Sequence, residues 1–309
     1  MDAATVQTPS AKFAVIPVQD GALDREHTGT TLKFWLPGGR MLFKAAREGT
    51  GEYWSEKLAS ELAALMGLPA ARVDLACWGD TPGVISHSFL MPGEYFLQQK
   101  RFRRVIARLL PPEQRSGLRY HTLSSAKTLL SFVELPPRWN PPAEVTCSLD
   151  AFAGYLLFDA WVNNEDRHHE NWGVIATRAG VSARRYHLAP TFDHASSLGR
   201  ELDDPQRASL LQNGEVPDYV LRCPSGICTA SKSRHPMTTH EVVRETLDMF
   251  PAATHAWAER LFSLSEESVR TVIEQVPEGM MSETSRQFAL AVLSTNKLYL
   301  QHLVESRLP

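Results

Sequence analysis

The stretch Asn163-Asn164-Glu165-Asp166-Arg167-His168-His169-Glu170-Asn171, followed further on by Thr191-Phe192-Asp193-His194, decides how the rest of this chain is read. An Asp and an Asn stand five residues apart in a polar loop after an apolar run, and a second Asp comes after an intervening segment. Asn, Asp and Glu also crowd ordinary turns. The helix pattern before this loop, the hairpin pattern after it and the second Asp at the hairpin's exit favour a working site. Phosphoryl transfer needs this set of groups. One carboxylate accepts or orients the proton of an attacking hydroxyl, while an amide oxygen and another carboxylate hold Mg²⁺ against nucleotide phosphates. On this reading Asp166 meets the hydroxyl, and Asn171 and Asp193 are the metal ligands.

Outward from that loop the pattern is regular. Leu149, Phe152, Ala153, Leu156, Leu157, Ala160 and Trp161 recur at helical spacing, so a helix is expected over Leu149–Val162, with Ser148 as its cap. Trp172–Ala176 and Tyr186–Ala189 read as a hairpin around Arg178-Ala179-Gly180. Nearer the N-terminus, Thr31–Leu36 and Met41–Lys44 flank Pro37-Gly38-Gly39-Arg40, another hairpin. A helix is expected from Glu52 to Met66, with a stripe of Trp54, Leu58, Leu62, Leu65 and Met66, and Gly67 and Pro69 stop it. Strands follow near Val73–Trp78 and Val84–Met91. Beyond Gly93 the chain turns helical and ends in a long helix from about Glu283 to Val304. The pattern predicts a two-lobed α+β protein: a β-rich N-terminal lobe with one helix over 1–96, a mainly helical lobe over 97–309, and a cleft between them.

Lys44 ends an otherwise apolar strand, Met41-Leu42-Phe43, where an ammonium needs an anion. Glu52 and Glu56 on the following helix share a face with Ala59 and Ala63, outside the apolar stripe, and can supply it. Such a lysine then holds a nucleotide's phosphates. A solvent-facing lysine on an edge strand is the plain alternative. The polar segment 24–31 contains Thr28, Gly29 and Thr30, whose N–H groups could lie over phosphates, although an ordinary surface loop reads the same. There is no G-x-x-x-x-G-K-[ST] and no G-x-G-x-x-G. His168-His169 suggests a metal nuclease, but the helix and hairpin stand in the wrong order around it. The absence of G-x-S-x-G argues against a serine hydrolase.

Composition bounds the alternatives. The 309 residues are 43% hydrophobic and 22% charged, as in a globular protein, with a net charge of −3. The pI near 6.4 argues against a dedicated nucleic-acid binder. The cationic run Lys100, Arg101, Arg103, Arg104 and Arg108 reads as a solvated helix face. Four scattered cysteines, Cys77, Cys147, Cys223 and Cys228, point to reduced thiols and a cytoplasmic protein. The N-terminal residues lack a basic segment followed by an apolar one, so no signal peptide is expected, and no apolar run reaches membrane length.

The segments Leu42-Phe43-Lys44, Gly51-Glu52-Tyr53-Trp54-Ser55-Glu56-Lys57-Leu58-Ala59, Met66-Gly67-Leu68-Pro69, Asn164–Gly173 and Leu188–Gly199 together resemble the HipA-like serine/threonine kinases, distantly related to the phosphatidylinositol kinases. The resemblance spans roughly Thr28 to Gly199. It implies a kinase fold using ATP and Mg²⁺, with Asp166 catalytic, Asn171 and Asp193 on metal, Lys44 on the nucleotide and Glu56, rather than Glu52, as its partner. Met91-Pro92-Gly93-Glu94-Tyr95 resembles the interlobe hinge, with Met91 and Glu94 near adenine, and His169 joins the nucleotide-binding set. The expected acceptor is a protein Ser or Thr; a lipid or small molecule, or a non-catalytic nucleotide-binding module, are the alternatives. The family's toxins carry an additional N-terminal β-rich subdomain, for which this chain has little room. An antitoxin-like partner is therefore an open expectation, and direct nucleic-acid binding is not expected.

Overall fold

The two hairpins read from the sequence seed two different sheets. The computed structural model describes residues 11–19, 24–25, 32–179, 183–229 and 236–307. In it, β1 (Val15–Val18), β2 (Asp24–Arg25), β3 (Lys33–Trp35), β4 (Met41–Ala45), β5 (Val73–Trp78) and β6 (Thr81–His87) form a six-stranded sheet in the order β1-β5-β6-β4-β3-β2. The β3–β4 turn uses Gly38 and Gly39 at φ +91° and +61°, a region that residues with a Cβ rarely enter. Its register sets Phe34 opposite Phe43, and both pack with Ala76 and Ile85 in a small core of their own. On its other side β4 pairs with β6, which puts Lys44 opposite Val84.

Helix α1 (Glu52–Met66) matches its expected bounds, and Gly67 closes it at φ +83° with its N–H bonded to the Ala63 and Ala64 carbonyls. One expectation fails here. Leu65, expected in the apolar stripe, is exposed, whereas the face with Glu56, Ala59 and Ala63 is buried like Trp54, Leu58, Leu62 and Met66 of that stripe. Alanines there let the helix seat closely, because α1 packs against both the sheet and α10 (Glu266–Glu274).

The second hairpin, β8 (Gly173–Ala179) and β9 (Ala183–Leu188), gains a third strand, β7 (Tyr95–Gln98), in the order β7-β8-β9. Gly173 permits this pairing, since a Cβ there would lie 2.3 Å from the Leu97 carbonyl oxygen. The helices are α2 (Gln99–Ala107), α3 (Pro112–Arg115), α4 (Leu123–Leu130), α5 (Ser148–Val162), α6 (Asp204–Gln212), α7 (Val216–Leu221), α8 (Thr239–Met249), α9 (Pro251–Ser263), α10 and α11 (Glu283–Glu305). A short pair, β10 (Pro224–Cys228) and β11 (Pro236–Thr238), precedes α8. In α2 the apolar Phe102 and Ile106 are buried beneath the cationic run.

Helix α5 leads into the polar loop. Its sequence suggested a one-sided stripe, but nearly every side chain is buried, because α4, α8, α9 and α11 all pack on it. A helix apolar on all sides belongs at a core centre. Its cap also differs from expectation. Cys147 is the N-cap, Asp150 accepts the Cys147 and Thr146 N–H bonds, and the Ser148 hydroxyl donates instead to the Leu130 carbonyl at 2.9 Å. Gly154 lies against Trp257, whose Nε1 donates to the Asp150 carbonyl at 2.8 Å. A Cβ at Gly154 would come within 2.5 Å of that ring. Gly154→Ala should therefore destabilise the protein by about 1–3 kcal/mol through overpacking. That outweighs the gain of up to about 1 kcal/mol in helix propensity, and the urea midpoint should fall. Among the described residues no helix is long and apolar enough to cross a membrane, and all four cysteines are free.

Candidate functional site

A cavity of about 650 Å³ opens between the six-stranded sheet and the polar loop. That is ample for a nucleotide. Lys44, Glu56, Asp166, Asn171 and Asp193 all line it, so residues far apart in sequence meet at one place.

Lys44 sits at its centre. Its Nζ donates to Glu56 Oε1 at 2.7 Å and to Asp193 Oδ1 at 2.8 Å. Burial alone would push the ammonium pKa down; Asp193 and Glu56 more than reverse this and hold the lysine charged. Lys44 in turn depresses the Asp193 pKa. Burial raises that of Glu56 despite the same lysine. Glu52, the other candidate partner, bonds Arg47 and Arg200 instead.

The loop after α5 is organised by Arg167, which sequence reading gave no role. It is almost fully buried and forks onto Asp159 of α5, Nε to Oδ2 and Nη2 to Oδ1, both at 2.7 Å. The same guanidinium donates to the Asn171 carbonyl at 2.6 Å, to Thr191 Oγ1 at 3.0 Å and to His194 Nε2 at 2.9 Å. Receiving that bond, His194 Nε2 carries no proton. Burial, with Arg167 beside it, keeps the ring neutral. Arg167 thereby ties the two halves of the motif together. The signal for it was present: Asp159 interrupts an otherwise apolar helix.

Asn171 Nδ2 donates to the Asp166 carbonyl at 2.7 Å and to Asp166 Oδ2 at 3.2 Å. Both bonds use the amide nitrogen, which leaves the neutral Oδ1 available as a ligand atom. Asp193 takes a left-handed φ of +60°, unusual for a residue with a side chain. One neutral and one anionic oxygen facing a shared cavity suit a hard divalent cation that keeps waters and takes its other ligands from phosphates. Among the described residues there is no cluster of three or more His, Cys, Asp or Glu able to hold a metal by itself. Burial, helped by Asp193, raises the Asp166 pKa above its ordinary value, and His168 opposes the shift.

Other candidates fall elsewhere. Thr28, Gly29 and Thr30 lie outside the described residues. Met91 and Glu94 turn inward on each other: Met91 N–H donates to Glu94 Oε2 at 2.8 Å, and Arg138 forks onto the same carboxylate. Ser88, Phe89 and Leu90 line the cavity in their place. His169 likewise leaves the lining to His168 and Glu170, and its ring lies 6.3 Å from that of His121.

His121 braces the loop from behind. Its Nδ1–H donates to the Gly226 carbonyl and its Nε2 accepts from Trp172 Nε1. Burial lowers its pKa to about 4, and burial does the same for His240 in the helical core. Unfolded, both take up protons near pH 6.5. Between pH 6.5 and about 4 the unfolded chain therefore binds protons that the folded chain refuses. Stability should fall across that window, by up to about 3 kcal/mol for each histidine. Urea titrations at pH 7, 5.5 and 4.5 would measure this, and replacing His240 by Gln should flatten the slope.

No family model and no curated protein matches the sequence. Among solved structures, the Helicobacter pylori proinflammatory kinase CtkA superposes with a TM-score of 0.70 at 16% identity, covering 96% of this chain and 97% of that one. The chain thus has the fold of that kinase from end to end. The HipA toxin of Shewanella oneidensis MR-1, solved with HipB and operator DNA, aligns with a TM-score of 0.42 at 14% identity over 93% of this chain and 68% of that one.

Proposed function

We propose that this chain is a HipA-like kinase, an ATP- and Mg²⁺-dependent phosphotransferase that moves the γ-phosphate to a Ser or Thr hydroxyl of a protein. The observation that carries the reading is the pair of bonds from Lys44 to Glu56 and, across the cavity, to Asp193. It occurs in a chain with a kinase's fold. In this proposal 1–96 form the nucleotide-binding lobe and 97–309 the lobe with the catalytic loop. Lys44 binds the α- and β-phosphates and Glu56 orients it. Asn171 and Asp193 would hold Mg²⁺, which when bound neutralises phosphate charge. Asp166 takes the proton of the acceptor hydroxyl as its oxygen bonds to the γ-phosphorus and the bond to the bridging oxygen breaks, releasing ADP. Ser88–Leu90, with Phe96 and Phe192 beside them in the cavity, form the wall for the adenine.

Transfer of label from [γ-³²P]ATP with Mg²⁺, with and without cell lysate, tests this. Label on the chain itself or on a lysate protein, as phosphoserine or phosphothreonine, is the expected result. Label in lipid or small metabolites would keep the phosphotransferase and change its acceptor. Nucleotide binding without transfer would indicate a regulatory module.

A further inference from the structure

Arg47 lies three residues past Lys44, on the loop between β4 and α1, and lines the same cavity as Lys44, Asp166 and Asp193. Its guanidinium bonds Glu52 Oε1 through Nε at 2.8 Å and Nη2 at 2.5 Å. That carboxylate is already provided for. Its Oε1 also accepts from Arg200 Nη1 at 3.2 Å, and its Oε2 accepts the Arg47 backbone N–H at 2.9 Å. Arg200 is the fixed member of the pair: its side chain is only 10% exposed, and it also bonds Glu165 and Ser196. The Arg47 side chain is 47% exposed. An exposed ion pair contributes little, so Arg47 can leave without stranding a buried charge. The loop would keep its shape, because the Thr50 N–H and hydroxyl hold the Arg47 carbonyl and the backbone bond to Glu52 remains.

The cavity lining is acidic: Glu52, Glu56, Asp166, Glu170 and Asp193 outnumber Lys33, Lys44 and Arg47, and Lys44 is already shared between two of these carboxylates. A polyphosphate entering it requires positive charge on the Asp166 side. The bond to Glu52 first, and after it the charges of Glu165 and Asp166, favour the charged form of Arg47.

We propose that Arg47 is a second phosphate-binding cation of this site: when nucleotide binds, its guanidinium leaves Glu52 to Arg200 and forks onto the terminal phosphate beside Asp166. This rests on the kinase reading above. A guanidinium matches two phosphate oxygens at once, a geometry that lysine cannot reproduce.

The test is calorimetric binding of MgADP and of the non-hydrolysable analogue β,γ-imido-ATP with Mg²⁺ to wild type, Arg47→Ala and Arg47→Lys. Arg47→Ala should lose about 10- to 100-fold in affinity for the analogue and keep its affinity for ADP and its melting temperature. Arg47→Lys should recover part of the loss. Equal losses for both nucleotides, or none for either, would overturn the role of Arg47 while leaving the kinase reading standing. A wild type that binds neither nucleotide would remove both.

Discussion

Asp166→Asn should lower phosphate transfer by about 10²- to 10⁴-fold, the usual contribution of a positioned acid–base group, with nucleotide affinity and melting temperature held. Asparagine keeps the shape and can still face the Asn171 amide, so the loop has little reason to move. What it loses is the basic oxygen that, in the proposed mechanism, takes the proton of the acceptor hydroxyl. Asp166 is half-exposed, and its carboxylate is not fixed by a buried cation. The wild-type pH profile gives the complementary result. Burial raises the Asp166 pKa, and in the proposed mechanism the group works ionised. Turnover should therefore fall on the acid side through a pH above the ordinary Asp value near 3.9. In Asp166→Asn that acid limb should vanish from the residual rate. A variant retaining full turnover would remove Asp166 from the chemistry.

How much of this could be read from the sequence depended on whether a signal was local. The β3–β4 hairpin and α1 followed from glycines at positive φ and from one turn-by-turn stripe, and both appear where expected. The two segments around Asp166 and Asp193 were legible as a set because the chemistry constrains residue types at short spacing. The kinase likeness suggested by those segments is met at the level of the fold. Packing was harder to read. Periodicity shows which side of a helix is apolar; it cannot show how many neighbours arrive, so α5 and the alanine face of α1 proved more buried than their patterns implied. The cavity's wall was missed for a related reason. Met91 and Glu94 came from a resemblance to an interlobe hinge, yet a turn closed by Gly93 at φ +84° points their bonds at each other. Arg167 was overlooked because its partner, Asp159, lies on the preceding helix. An acid in an apolar helix and a base in the following loop are a pair only once the chain has folded back.

That pair gives the largest expected effect on stability. Arg167→Ala should cost about 3–5 kcal/mol, because it leaves Asp159 as an uncompensated buried charge, with a fall in melting temperature on the order of 10 °C. Asp159 would keep only Asn164, whose Nδ2 donates to Oδ1 at 2.8 Å. Replacing both members with apolar residues, as in Asp159→Leu with Arg167→Met, removes the charges together and should recover much of the stability. Activity should not recover with it. Arg167 also bonds the Asn171 carbonyl, Thr191 and His194, so the double variant would fold without the contacts that tie together, at one cavity, the segments carrying Asn171 and Asp193. Chemical denaturation alongside phosphate transfer would separate these two roles. If the double variant regained both stability and turnover, Arg167 would be a folding device alone. If it regained stability only, the guanidinium is what holds the two halves of the motif at working distance, and that would explain a charge buried at the centre of this fold.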